Sequence, residues 1–265
     1  SMDFLAISGY FLALLVGISL GLVGSGGSIL TVPILVYLLG FDAVTATGYS
    51  LFVVGSTALV GGLRNTFQGN VDFSIAMLFG IPSLITAYLV RAFLIPVIPH
   101  VIIKTGGVIV TKDLLLMVLF AVIMLLAAIK MIRSSVQTTE VINVSNPKII
   151  LSGVITGLLA GAVGAGGGFL IIPALVFLAG LPMKKAVGTS LFIIAIQSLA
   201  GFAGDKFEQA VNWKFLIPFT LAAIAGIFIG IVFSRKIQGE KLKTVFGYFI
   251  LLMGIYIVAK ELFIK

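Results

Sequence analysis

Ten apolar runs separated by short polar stretches make up most of this sequence. They lie at about residues 4–23, 28–40, 43–63, 71–95, 113–132, 149–163, 168–180, 186–203, 214–233 and 244–263. A helix needs roughly 20 apolar residues to cross the hydrocarbon of a bilayer, and several runs reach that length. Only 10% of the residues are charged and 60% are hydrophobic, whereas about a quarter of a soluble domain is charged. The sequence therefore predicts an all-α polytopic (multi-pass) membrane protein whose main partner is the lipid bilayer. Because no Lys or Arg precedes the first run, we expect no cleavable signal peptide there.

The two halves of the chain repeat one another. A shift of 140 positions aligns residues 17–65 with residues 157–205 without a gap, and 19 of the 49 aligned positions are identical. The shared residues include several glycines and one proline, so the repeat preserves backbone geometry as well as hydropathy. We predict an N-terminal transmembrane repeat at 1–133, a linker at 134–148 and a C-terminal transmembrane repeat at 149–265. Internal repeats are common in transporters, where the substrate site lies between them.

Each repeat begins with an apolar segment that small residues interrupt. Residues 149–180 would form a helix of about 48 Å at 1.5 Å per residue, well beyond the roughly 30 Å of hydrocarbon. The interruption is Gly164-Ala165-Gly166-Gly167-Gly168, and its counterpart is Gly24-Ser25-Gly26-Gly27-Ser28. We expect two short helices joined at a glycine loop, either as a hairpin, re-entrant or fully crossing, or as a single crossing.

The distribution of basic residues favours the hairpin. If each broken segment returns to its own side, ten of the 17 Lys and Arg residues share one face, whereas a single crossing divides them nine to eight. Because basic loops are held on the cytoplasmic side, the hairpin predicts inverted-topology repeats with both termini outside the cytoplasm. The ten residues are Arg64, Lys130, Arg133, Lys148, Lys184, Lys185, Arg235, Lys236, Lys241 and Lys243. Lys184 and Lys185 are topology determinants that could also attract anions.

The two glycine loops are the main candidates for a binding site. Non-helical backbone at membrane depth persists only where protein buries it or where it lines a wet cavity. A helix that begins after each loop would point free N–H groups and its positive dipole end inward, an arrangement that binds anions. The candidate substrate-binding residues are Gly24, Ser25, Gly26, Gly27, Ser28, Gly164, Ala165, Gly166, Gly167 and Gly168, together with Ser50 and Ser190. The alternative is that these glycines only permit close helix packing, as we expect for Gly17-xxx-Gly21, Gly153-xxx-Gly157 and Gly157-xxx-Gly161.

Hydroxyl and amide side chains follow both loops. They are Thr45, Thr47, Ser50, Ser56 and Thr57 in the first half and Thr189, Ser190, Gln197 and Ser198 in the second. Such groups often bond to their own helix or hold neighbouring helices together. The repetition of Gly48-x-Ser50 as Gly188-x-Ser190 favours the other possibility, that they surround a polar pocket near the membrane midplane.

The residue types that are absent exclude several functions. Without Cys and with a single His, the chain lacks the usual ligands for a metal and the usual nucleophile–base pairs, so we expect no cofactor, no metal and no enzymatic activity. The string GSGGS lacks both the preceding strand and the Gly-Lys-Ser/Thr of a phosphate-binding loop. The basic residues carry no base-reading motif, so no nucleic-acid partner is expected. No carboxylate is placed securely within a span, which favours an uncharged, donor-lined route for an anion over a proton relay or cation path.

The glycine loops with their following strings resemble a known family. GLVGSGGSILTVPILVYLLG followed by AVTATGYSLFVV, and GAVGAGGGFLIIPALVFLAG followed by KKAVGTSLFII, are similar to the TauE/SafE family of sulfite and organosulfonate exporters, which is grouped with the toluene-sulfonate uptake permeases. The resemblance implies a permease of a bacterial or archaeal cell inner (plasma) membrane that exports sulfite, organosulfonates or related sulfur-containing oxyanions. The candidate residues that match the family's motif are Gly24, Ser25, Gly26, Gly27, Ser50, Gly164, Ala165, Gly166, Gly167 and Ser190.

These inferences combine into one hypothesis with stated rivals. We expect alternating access around a midplane anion site between the two repeats. The rivals are a passive anion channel, an uptake permease for another small anion, a membrane-embedded enzyme and a scaffold protein. The sequence leaves open the exact substrate, the direction of transport, the coupling ion and the oligomeric state, including a homo-oligomer.

Overall fold

The computed structural model describes residues 2–24, 26–105, 108–133, 146–164, 168–206, 210–237 and 239–261. Within these ranges the chain forms helices α1 Met2–Val23, α2 Gly26–Pro33, α3 Ala43–Phe67, α4 Phe73–Leu89, α5 Ile95–Val97, α6 Lys112–Arg133, α7 Asn146–Val163, α8 Gly168–Phe177, α9 Met183–Gly204, α10 Trp213–Ser234 and α11 Gly239–Ala259. Two π-helical segments continue α2 and α4, at Ile34–Leu38 and Val90–Leu94.

Five helical segments of the described chain are long and apolar enough to cross a membrane. They are Ala43–Phe67, Phe73–Val97, Asn146–Val163, Met183–Gly204 and Trp213–Ser234. The prediction of a helical polytopic membrane protein is therefore confirmed, and the helices follow the apolar runs closely.

A short β-hairpin departs from the all-α prediction. Strands β1 Val101–Thr105 and β2 Val108–Thr111 pair antiparallel, with Val101 opposite Thr111. From the sequence this stretch was expected only to be a polar loop between two apolar runs. The signal was present, because β-branched residues flank a Gly-Gly pair in VIIKTGGVIVT, a pattern typical of a hairpin.

Helix α7 begins within the predicted linker. Helix α7 begins at Asn146, so residues 146–148 of the predicted linker form its first turn. Residues 134–145 lie outside the described chain.

Glycines bring helices of the two halves into close contact. A Cβ atom on Gly17 of α1 would overlap the carbonyl oxygen of Ala223 in α10, and one on Gly157 of α7 would overlap that of Ser83 in α4. Cβ atoms on Gly21, Gly153 and Gly161 would likewise lie within 3.0 Å of backbone atoms of the same partner helices. The prediction that these Gly-xxx-Gly spacings serve helix packing is therefore confirmed. In both pairs the contacts advance along the two helices together, so α1 runs parallel to α10 and α7 runs parallel to α4.

Two hydrogen bonds define the ends of the molecule. At one end the backbone N–H of Asp72 donates to Thr189 Oγ1 at 3.0 Å, joining the starts of α4 and α9. We call this the basic end, because it also carries Arg64, Lys184 and Arg235. At the opposite end the backbone N–H of Asn212 donates to the Tyr49 hydroxyl at 2.7 Å, joining the starts of α10 and α3. The two bonds use positions that differ by 140 in both partners.

The central pair of helices is α3 and α9, which pack against each other and are flanked by α4 and α10. Both have mostly buried side chains, and Gly55 of α3 lies directly against Leu199 of α9. Helices α6 and α11 pack together beside this group. The glycine loops therefore lie next to a dense central pair.

Candidate functional site

The first break, residues 24–28, lies between the end of α1 at Val23 and the first turn of α2. Gly24 has φ of +74°, a left-handed conformation that glycine adopts without steric cost. A Cβ atom at this position would lie 2.9 Å from Ser190 Oγ and 3.0 Å from Val187 of α9. Gly26, Gly27 and Ser28 form the first turn of α2, and Ser25 lies outside the described residues. The first break thus contacts the second half of the chain.

The second break, residues 164–168, has the reciprocal arrangement. Gly164 has φ of +72°, and a Cβ atom there would overlap Thr47 of α3. Gly168 begins α8, while Ala165, Gly166 and Gly167 lie outside the described residues. Thr47 and Val187 are 140 positions apart, so each break lies against the equivalent point of the other half.

The predicted hydroxyl groups lie inside the contact between helices. Ser190 Oγ donates to the Val187 carbonyl at 2.8 Å, and Thr47 Oγ1 donates to the Val44 carbonyl at 2.9 Å. Ser83 Oγ donates to Gln197 Oε1 across α4 and α9. These bonds join hydroxyl groups to their own helix or to a neighbouring helix, as expected if the groups serve helix packing and not a binding pocket. Ser50 Oγ is buried and has no hydrogen-bond partner among the described residues. A polar midplane pocket around Ser50 and Ser190 stays a prediction.

A cavity of about 450 Å³, lined by both polar and apolar side chains, opens beside the first break at the basic end. Its lining consists of Leu22, Asn65, Gln68, Asn70, Lys184, Val187, Ile231, Ser234 and Arg235. Leu22 and Val187 place the cavity next to Gly24, since Leu22 precedes it by two residues and Val187 contacts it. The lining includes two cations and three amide side chains but no carboxylate, so the cavity suits a small anion.

Only part of this cavity can be identified from the sequence. Lys184 was expected to attract anions, but the three amides at the end of α3 were treated only as part of a polar separator. Asn65 is buried, and its side-chain amide donates to the Gly61 carbonyl at 2.9 Å. Their spacing in Asn65, Gln68 and Asn70 at a helix end was the available signal, although it does not show which helices lie opposite.

A buried ion pair lies near the opposite end. Arg91 Nη1 is 3.3 Å from Asp205 Oδ2, and the two side chains are 0% and 3% exposed. Arg91 belongs to the π-helical segment after α4, and Asp205 caps the C-terminus of α9. Burial raises the pKa of Asp205, while Arg91, Lys112 and the backbone N–H of Lys206 act in the other direction.

Asp205 lies just after the span Met183–Gly204 and not within it, but its burial against Arg91 is not apparent from the sequence. Arg91 is the charged residue deep within run 71–95. A lone charge inside an apolar span is a functional signal in its own right. Glu261 is also buried and accepts a hydrogen bond from the Tyr37 hydroxyl at 2.7 Å.

Comparison with known proteins gives a consistent family match. The profile of the family described as "Sulfite exporter TauE/SafE" matches residues 10–257. A "Probable membrane transporter protein" of Xylella fastidiosa (strain Temecula1) is 28% identical over 252 residues, covering 92% of this chain and 91% of the relative. Two further relatives with the same description also match over nearly their whole length. The relative from Methanocaldococcus jannaschii is 28% identical, covering 92% of this chain and 94% of the relative, and the one from Bacillus subtilis is 27% identical, covering 95% and 97%. No solved structure matches the chain.

Proposed function

The chain belongs to the TauE/SafE sulfite exporter family and is a multi-pass membrane transporter, and on that basis we propose that it exports sulfite, organosulfonates or related sulfur-containing oxyanions across the inner (plasma) membrane. The main observation that supports an anionic substrate is the cavity beside the first break. Two cations and several amide donors surround this space, and no carboxylate lines it. A sulfonate or sulfite, which offers several oxygen acceptors and negative charge, complements such a lining.

The glycine breaks would supply the binding groups deeper in the membrane. Helix α2 begins at Gly26, directly after the turn at Gly24. Backbone N–H groups of its first turn lack partners within the helix, and together with the helix dipole they would replace part of the water around an anion. The second break would contribute the equivalent groups from α8. The substrate would then be bound between the two halves.

Inverted repeats would give this site two routes of access. Several observations support the inverted arrangement: the parallel pairs α1–α10 and α7–α4, the reciprocal contacts of Gly24 and Gly164, and the two hydrogen bonds at opposite ends. The rings of Phe41 and Phe215 lie 5.2 Å apart, so the chain has returned, after α2, to the end at which α10 begins. This return supports a hairpin for the first broken segment. Rocking of the halves would expose the site to each side in turn.

Transport into proteoliposomes tests the proposed function. We expect saturable uptake of labelled sulfite or sulfonate by the purified protein, with counterflow, and strongly reduced rates for Gly26→Leu and Gly166→Leu because a side chain there would block approach to the backbone. Gly9→Leu is the matched control, because Gly9 lies in α1 outside both breaks and a Cβ there would make only an ordinary contact, 3.7 Å from Leu39. Wild-type rates from both loop variants, with folding verified, would refute the site. Flux linear in substrate concentration and without counterflow would indicate a passive channel instead.

A further inference from the structure

We propose that the Arg91–Asp205 ion pair closes the transport path at the opposite end, and that Arg91 exchanges Asp205 for the substrate oxyanion when that end opens. This inference rests on the proposed function, because it assigns a gate and a second binding group to the same path. It uses residues that neither the glycine motif nor the cavity includes.

The correspondence between the two halves places the ion pair opposite the cavity. Two lining residues of the cavity, Asn65 and Ile231, become Asp205 and Arg91 under the shift of 140 positions. The shift also holds in space, because Gly24 contacts Val187 as Gly164 contacts Thr47. The position equivalent to the cavity is therefore filled by a buried ion pair. At the same pair of positions, one end has a cavity and the other has a buried ion pair.

The guanidinium of Arg91 has hydrogen-bond donors available for a further ligand. Its guanidinium is fully buried, and none of its three nitrogens makes a hydrogen bond in the described structure. Its contact with Asp205 is a single approach of 3.3 Å. A guanidinium has five N–H donors and binds planar or multidentate oxyanions strongly. An oxyanion that reaches Arg91 could satisfy donors that Asp205 leaves unused.

The charge balance around the pair favours an incoming anion. Lys112 is also buried and acts on Asp205, so among the described residues two cations act on this one carboxylate. Lys206, the neighbour of Asp205, has its Nζ 5.5 Å from the centre of the Phe93 ring. The group therefore carries excess positive charge in a region of low dielectric, where it attracts an anion more strongly than in water. In the closed state Asp205 supplies the negative charge that the substrate would supply in the open state.

Local backbone structure differs between the halves at this point. Arg91 lies in the π-helical segment Val90–Leu94, whereas the equivalent Ile231 lies in the regular helix α10. Single π-helical turns within α-helices are frequent at functional sites. Removing two charges from water costs free energy that offsets much of their mutual attraction, so a buried pair of this kind is not held strongly. Such a pair can separate during transport.

Accessibility of single cysteines tests the gate without any substrate. The chain has no Cys, so Thr47→Cys and Val187→Cys report directly on the two ends. With a membrane-impermeant maleimide and purified protein in detergent, we expect Val187→Cys to react and Thr47→Cys to be protected. Adding Asp205→Asn should accelerate the reaction of Thr47→Cys by roughly tenfold or more, which corresponds to about 1.4 kcal/mol. It should also slow the reaction of Val187→Cys. Asp42→Asn is the matched control, because it makes the same chemical change at an exposed residue. The Asp42 side chain caps α3 by accepting a hydrogen bond from the backbone N–H of Thr45, and it makes no ion pair with Arg91.

The outcomes separate the gate from the substrate. Equal protection of Thr47→Cys in the Asp205→Asn and Asp42→Asn backgrounds would overturn the gate, as would equal reactivity of both cysteines in the parent. The charge exchange Arg91→Asp/Asp205→Arg should restore protection of Thr47→Cys but abolish sulfite uptake, and undiminished uptake would refute exchange of partners at Arg91. If Asp205→Asn does not fold, Arg91→Gln takes its place with the same expected result. Because the labelling contains no oxyanion, it remains decisive even if sulfite proves not to be transported.

Discussion

Removing the two cations of the cavity, in the variant Lys184→Gln/Arg235→Gln, should weaken anion binding by an amount that salt controls. A cavity of about 450 Å³ treated as a sphere has a radius of about 5 Å, so a bound anion would lie roughly 5 Å from each charge. Both side chains are exposed, so the dielectric constant of water applies and each contributes about 0.8 kcal/mol. Together they give about 1.6 kcal/mol, or roughly a fifteenfold change in the dissociation constant.

Screening makes the prediction sharper. At physiological ionic strength the Debye length is about 8 Å, which reduces the interaction at 5 Å to roughly half and the effect to about fourfold. The measurement is the KM of sulfite uptake into proteoliposomes at low and at physiological salt. The matched control is Lys236→Gln/Lys241→Gln, which removes the same charge from exposed positions that do not line the cavity. An equal KM in variant and control, or a difference that does not shrink with salt, would refute the assignment of this cavity to the substrate.

Three further predictions concern packing, backbone and the ion pair. Gly17→Ala places a Cβ against the backbone of α10 and should destabilise the fold by about 1–3 kcal/mol, while Gly9→Ala, which makes an ordinary contact, should leave the unfolding temperature nearly unchanged. Gly164→Ala should lower the unfolding temperature more than Gly40→Ala does. Both glycines have positive φ, but only at Gly164 would the added Cβ contact another helix; similar unfolding temperatures would contradict this. Burial raises the pKa of Asp205 above its ordinary value of 3.8, so the folded protein holds this proton more tightly than the unfolded chain, and its stabilising contribution should fall as pH rises from 3.8 through the raised pKa. Thermal unfolding of wild type against Asp205→Asn should therefore show a wild-type advantage that is largest in acid, and a pH-independent difference would disprove it.

The sequence was sufficient to predict the helical spans, the two breaks and the packing glycines. Hydrophobic runs of the length of a bilayer leave few alternatives to helices, because unpaired backbone is excluded from hydrocarbon. Gly24 and Gly164 were identified from the repeat, and their positive φ angles follow from the lack of a side chain. The hairpin of β1 and β2 was not predicted, because the short polar stretch in which it lies has the length and polarity of a loop despite its β-branched residues.

The cavity and the ion pair could be found only in the tertiary structure. Local pattern determines where a chain enters and leaves the bilayer, since that depends on hydropathy and backbone hydrogen bonding within one segment. The cavity requires Asn65, Lys184 and Arg235 to meet, and the ion pair joins residues 91 and 205; such neighbours are set by which helices pack together. The duplicated sequence even predicts equivalent surroundings at the two ends. The folded chain instead has a cavity at one end and a buried ion pair at the other, because helix packing brings Asn65 and Ile231 to the cavity and Arg91 and Asp205 into contact.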